Sequence, residues 1–136
     1  MFPMNDVQYI SVYIQRTPND VYEFASNPEN LPRWAAGLAS SDIKRVGGAW
    51  VAEAPFGTVR IRFVEANSFG VLDHDVELDS GVIVHNPMRV VKNGDGSQFV
   101  FTLFRQPDVS DEQFAADARA VETDLRTLKD LLERDA

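Results

Sequence analysis

The chain has 136 residues, 44% of them hydrophobic and 25% charged, the balance of a folded globular chain and a length suited to a single domain, 1–136. Thirteen basic against twenty-one acidic side chains leave a net charge of −8, which repels phosphate backbones and anionic lipid, so no nucleic acid is expected as a partner. There is no cysteine and there are only two histidines, which removes disulfides, thiol nucleophiles and thiolate zinc sites and leaves any metal site to carboxylates.

No apolar run approaches the roughly 20 residues of a membrane helix, so no membrane insertion is expected. The opening Met-Phe-Pro-Met-Asn-Asp lacks the basic region and apolar stretch of a signal peptide. A cytoplasmic location is the expectation. Residues 7–15 alternate as a strand, with Ile10, Val12 and Ile14 on one face. A helix start follows, in which Thr17 caps, Pro18 suits the first helical position and Asp20 completes the box. Asn27-Pro28 repeats that signal for a second helix, which Pro32 limits to one or two turns.

Turn chemistry then separates a series of strands: 43–46, 49–54, 58–65, 70–78, 82–92 and 97–105. Their short connections predict an antiparallel meander. After Pro107 the period changes. Ser110 and Gln113 form a capping box, and Phe114, Ala118, Val121, Leu125, Leu128 and Leu132 follow at spacings of 4, 3, 4, 3 and 4. That is one apolar stripe on a helix of about six turns.

The turns also predict which side chains face inward. On 70–78, Leu72, His74, Val76 and Leu78 share one face, while Asp73, Asp75 and Glu77 share the other, which must be the wet one. Asp79-Ser80-Gly81 as a three-residue loop pairs His74 with Asn86 and sets Asp75 opposite His85 outside. Closing Asn93–Gly96 pairs Val90 with Phe99, Met88 with Phe101, Asn86 with Leu103 and Val84 with Arg105. A four-residue loop at 66–69 pairs Phe63 with Leu72 and Ile61 with His74. The resulting inner face is apolar except for His74, Asn86 and Arg105. The Pro55-Phe56-Gly57 turn leaves the side taken by Glu53 open. Asp73-His74-Asp75 cannot chelate one ion, because adjacent strand residues face opposite ways, so no metal site is expected.

The order of elements resembles the helix-grip (START-like) fold of the SRPBCC superfamily: a strand, two short helices, six further antiparallel strands and a long C-terminal helix. The segments Ile14-Gln-Arg-Thr-Pro-Asn-Asp-Val-Tyr-Glu-Phe and Asn27-Pro-Glu-Asn-Leu-Pro-Arg-Trp34 are similar to the start of polyketide cyclase/dehydrase and lipid-transport relatives. The resemblance implies an α+β fold in which a curved seven-stranded antiparallel sheet wraps the long helix. It further implies a cavity between them, with Leu31, Trp34 and Leu38 near its mouth and Phe56 on the loop opposite. It brings no nucleophile, metal ligand or cofactor with it.

A small hydrophobic, aromatic or polyketide-like ligand is therefore the expected partner, bound or transported in that cavity. Its expected lining is Trp34, Leu38, Ile61, Phe63, Leu72, His74, Asn86, Met88, Phe101, Leu103 and Arg105. His74 and Asn86 orient the ligand, or form a satisfied core pair. Arg105 meets an anionic group of the ligand, or a carboxylate of the helix. One alternative is a cyclase or dehydrase in which His74 is the catalytic acid/base. Another is a non-catalytic protein-interaction module. A homodimer is left open.

Overall fold

A computed structural model describes residues 5–38 and 42–134; residues 1–4, on which part of the reading of the N-terminus rests, lie outside it. Strand β1 (Val7–Ile14) turns Ile10, Val12 and Ile14 toward the core, and Ile14 is completely buried. The Thr17 hydroxyl accepts the Asp20 N–H at 3.2 Å, and Pro18 occupies the first turn of α1 (Pro18–Ala25). Asn27 caps a 3₁₀ turn, Pro28–Asn30, in the same way. That turn runs into the single-turn helix α2 (Leu31–Trp34), and a further 3₁₀ turn spans Ala36–Leu38.

The strands are β2 (Ile43–Val46), β3 (Ala49–Ala54), β4 (Gly57–Phe63), β5 (His74–Glu77), β6 (Ile83–Asn86), β7 (Met88–Asn93) and β8 (Gly96–Phe104), and α3 (Asp111–Arg134) follows. All pairings are antiparallel, in the orders β2-β3-β4-β5-β6 and β1-β8-β7. The fold is α+β and of the helix-grip kind, with eight strands in two sheets where the resemblance implies one sheet of seven.

The reason for the division is Pro87. It has no N–H to give the ladder, and the predicted strand 82–92 breaks there into β6 and β7. Asn86 and Val84 consequently leave the predicted pairings with Leu103 and Arg105 and keep only their β5 partners, His74 and Val76. The orphaned start of β7 is held from the side: the Asp73 carboxylate accepts the Met88 N–H at 2.9 Å and pairs with the Arg89 guanidinium at 2.9 Å.

The connection from β4 to β5 is also longer than the predicted four residues. Asn67 organises it, its Oδ1 accepting the N–H groups of Phe69 and Val71 and its Nδ2 donating to the carbonyls of Glu65 and Val71. Phe63 therefore pairs with His74 and Ile61 with Val76, a shift of two residues that leaves every side chain on its expected face. Residues 70–72 cross to β7 instead, where the Leu72 N–H donates to the Met88 carbonyl at 2.8 Å. Gly70 makes this possible: its φ is 72°, and a Cβ there would collide with the Val90 carbonyl.

The remaining hairpins follow the turn chemistry. Gly81, at φ 90°, closes the loop that sets His74 against Asn86 and Asp75 against His85, whose Nδ1 lies 2.6 Å from the Asp75 carboxylate. The β3–β4 register places Glu53 opposite Thr58 on the outer face, where the Thr58 hydroxyl donates to its carboxylate at 2.9 Å.

Ser110 caps α3 as expected, accepting the Gln113 N–H at 3.0 Å. The helix buries Phe114, Leu125, Leu128 and Leu132. Arg105 stands beside its first turn, donating to the Val109 carbonyl at 2.7 Å and to Asp111 at 2.6 Å. At the far end Lys129 donates to the Tyr13 carbonyl at 2.8 Å, Glu133 accepts the Gln15 N–H at 2.9 Å and Arg16 reaches the Leu132 carbonyl at 2.7 Å.

Burial raises the pKa of Asp73, but the hydrogen bonds from Arg89 and Met88 outweigh it and hold the carboxyl below its ordinary range. Its contribution to stability is full above the unfolded-state pKa of roughly 3.9 and is lost as pH falls through the lower folded value. Asp73→Ala is expected to cost about 1–2 kcal/mol at pH 7, after allowance for partial screening, and to flatten the acid limb of a urea-melt series.

Candidate functional site

A cavity of about 230 Å³ lies between the strands and α3. Strand β4 contributes Val59 and Ile61, β5 His74 and Val76, β7 Met88, and β8 Phe101. Leu31 and Trp34 of α2 and Val121, Asp124 and Leu125 of α3 form the other walls. Gly37, Leu38 and Phe56 edge it where it meets the surface, and Phe56 is 68% exposed. The alternation of β4 and β5 aims these side chains inward, as the sequence pattern requires.

Three of the lining residues carry polar side-chain atoms. The imidazole of His74 packs on the Phe63 ring, with centroids 4.8 Å apart and an interplanar angle of 24°, and meets Phe101 edge-on at 6.5 Å. Its Nδ1 lies 3.1 Å from the Leu72 carbonyl. A carbonyl only accepts, so Nδ1 carries the proton and Nε2 presents a lone pair. Burial pushes the imidazole pKa below its ordinary value, more strongly than the Leu72 carbonyl and the neighbouring Asp73 and Asp75 raise it. At neutral pH the ring is uncharged.

Trp34 is 6% exposed and packs edge-to-face on Phe99 at 6.2 Å. Its indole N–H is buried with no hydrogen-bond partner among the described residues. Asp124 is the third. Its carboxylate accepts the Ala36 N–H at 3.1 Å, fastening the 3₁₀ turn at the mouth to α3. Burial raises its pKa, against the lowering effect of that hydrogen bond.

Of the lining expected from sequence, Trp34, Leu38, Ile61, His74, Met88 and Phe101 meet around this one cavity. Phe63 lies behind His74, and with Leu72 it borders a smaller hollow toward Tyr22. Asn86 faces His74 in the register but makes no hydrogen bond with it; the Leu72 carbonyl lies against Nδ1 instead. Leu103 is outside the cavity lining. Arg105 is also outside, clamped by Asp6, Asp111 and the Val109 carbonyl, so the helix carboxylate is its partner.

Sequence reasoning assigns the acidic residues of the long helix to solvent and so misses Asp124. The signal was its position beside Leu125, three residues after Val121, on the flank of the stripe. Among the described residues no group of three or more His, Asp or Glu side chains stands close enough to hold a metal ion. None of their helices is long and apolar enough to cross a membrane.

A family model described as polyketide cyclase / dehydrase and lipid transport matches residues 9–134. No curated protein sequence matches the chain. Among solved structures, the Aha1 dimer from Colwellia psychrerythraea is similar at a TM-score of 0.75 and 16% identity, covering 94% of this chain and 96% of that one. XoxI from Bacillus cereus is similar at 0.70 and 17%, covering 93% and 94%. Ara h 8.0201 is similar at 0.68 and 11%, covering 93% and 97%. At these identities what is shared is the fold.

The lowered pKa of His74 has a sign. Between its ordinary value of roughly 6.5 and the lower folded value, the unfolded chain binds the proton more readily, so stability falls as pH drops through that interval. His74→Phe is expected to remove this part of the pH dependence in chemical melts. Asp124→Ala is expected to speed hydrogen exchange at the Ala36 amide while leaving exchange in β8 unchanged.

Proposed function

Because the chain belongs to the polyketide cyclase / dehydrase and lipid transport family, we propose that it binds a small hydrophobic ligand in the cavity beneath α3, with His74 fixing the ligand's orientation. The observation that carries this reading is the hollow itself: apolar walls on the concave side of the strands, with one uncharged imidazole among them. Protein interiors are close-packed, and a space of this size has no packing purpose. Burying an aromatic ring of about 150–250 Å² contributes roughly 4–6 kcal/mol, against about 0.5–1.5 kcal/mol for one hydrogen bond. Desolvation therefore supplies the affinity and His74 the direction.

A second reading is favoured by Nε2 of His74. It is a neutral proton acceptor on the cavity wall, held in one tautomer by the Leu72 carbonyl, which suits general acid–base work on a bound ligand in a cyclisation or dehydration. Turnover that follows a single ionisation and disappears in His74→Gln, with binding retained, would establish it over plain binding.

Native mass spectrometry of protein purified from its own host is expected to show a retained small molecule. Val76→Trp, which fills the cavity, is expected to lose that molecule, and His85→Ala on the outer face to keep it. Ligand at about a hundred times its Kd is expected to raise stability by ~2.7 kcal/mol in a thermal melt. No retained molecule, together with no stabilisation by any hydrophobic compound, would overturn the reading.

A further inference from the structure

We propose that the free edge of β1 is an interface, and that its occupant is β1 of a second copy of this chain, paired antiparallel about a two-fold axis at Ile10. In the order β1-β8-β7, β1 ends its sheet and has a strand partner on one side only among the described residues.

The groups on the open side can be named. The Arg105 N–H donates to the Asp6 carbonyl at 2.8 Å, and the register from Val7↔Phe104 to Ile14↔Ser97 continues that pairing. Bonded and unbonded pairs alternate along an antiparallel ladder, so Gln8, Ile10, Val12 and Ile14 bond to β8. Tyr9, Ser11 and Tyr13 therefore turn their N–H and C=O groups outward. Lys129 marks that direction, donating to the Tyr13 carbonyl at 2.8 Å. The main-chain groups of Tyr9 and Ser11 have no such cap among the described residues.

The other edges are guarded. β2 carries Lys44 and Arg45, β7 carries Arg89 and Lys92, and β6 is four residues long and stops at Pro87. β1 has eight residues, Val-Gln-Tyr-Ile-Ser-Val-Tyr-Ile, with no charge, glycine or proline, and Tyr9 on it is 75% exposed. A long uncharged edge is a template for another strand, and native chains charge it, shorten it or cover it.

The strand fits its own reverse. With Ile10 on the axis, Tyr9 of each copy lies opposite Ser11 of the other, and the outward groups of both form N–H···O bonds while Lys129 keeps the Tyr13 carbonyl. The groove along this edge has residues 8–13 on one side and Glu122, Leu125 and Arg126 of α3 on the other. Glu122 and Arg126 are opposite charges one helical turn apart. A two-fold axis between them turns each toward its opposite in the second copy. A foreign strand would gain the ladder bonds alone.

Sedimentation of the whole chain is expected to show a dimer whose share rises with concentration. Ser11→Lys sets two like charges diagonally across the axis, and is expected to weaken the dimer about tenfold or more. Ser11 is exposed, so this variant is expected to keep the parent's melting temperature. Hydrogen exchange reads the same contact in the unaltered chain. The Tyr9 and Ser11 amides are expected to slow about tenfold from dilute to concentrated protein, while those of Ile10 and Val12, bonded to β8, stay unchanged. The chain has no cysteine, so one introduced thiol reports the register. Ile10→Cys, with the two Cα atoms about 4.5 Å apart, is expected to form a disulfide dimer under mild oxidation, and Val12→Cys is not. A monomer at every concentration up to about 1 mM overturns the inference. So does exchange at Tyr9 and Ser11 that ignores concentration, or a dimer that persists in Ser11→Lys. Crosslinking at position 12 and not 10 overturns the register, and a monomer that takes up an unrelated extended peptide along β1 overturns the second copy as occupant. None of these outcomes bears on ligand binding, because no residue of β1 lines the cavity.

Discussion

Helix α3 is held at its two ends, and the hollow beneath its middle depends on that. At the start, Arg105 ties the strand end to the first turn through Val109 and Asp111 and lies 5.9 Å from the Phe114 ring. At the finish, Lys129, Glu133 and the Leu132 carbonyl grip the end of β1 and the residues after it. Leu125, Leu128 and Leu132 are buried in the core, while Val121 and Asp124 look onto open space. A helix fixed only by its stripe would settle until the stripe met the sheet everywhere. Polar ties at both ends set a standoff that hydrophobic attraction, which has no direction, cannot close.

The change of strand partner around Asp73 and the break at Pro87 contribute in a second way. With 70–72 on β7 and 74–77 on β4, the Leu72 carbonyl lies beside the imidazole of His74. One backbone acceptor then settles the tautomer, and the stack on Phe63 settles the ring plane. Burial keeps the ring neutral although two aspartates flank it in sequence, because their side chains point to the opposite face, toward His85 and Arg89. The same alternation that hides the histidine keeps its acidic neighbours from charging it.

Where turn chemistry is local, the sequence was readable. Gly47-Gly48, Asp79-Ser80-Gly81 and Asn93–Gly96 each close the hairpin that their residue types favour, and β5–β6 and β7–β8 have the expected registers. The stripe on α3 is likewise where its spacing puts it. Reading failed where a distant partner decides. The loop around Asn67 is set by hydrogen bonds that also involve Tyr22, 45 residues away. Pro87 breaks the strand, yet whether a proline ends a strand or sits at an edge depends on which neighbours lie beside it.

Alternation, turn residues and the helical stripe were enough by themselves to determine the order of elements, their antiparallel sense and the inward face that carries Ile61, His74, Met88 and Phe101. These follow from short-range stereochemistry, which every few residues of chain express on their own. Which of the inward residues would border empty space was decided only in three dimensions. Asn86 stayed out of the lining, Arg105 was taken by Asp6 and Asp111, Asp124 and the Trp34 indole came in from the helices, and the standoff of α3 left room between them. A void is the part of the interior where contacts are missing, and no residue pattern encodes the absence of a contact.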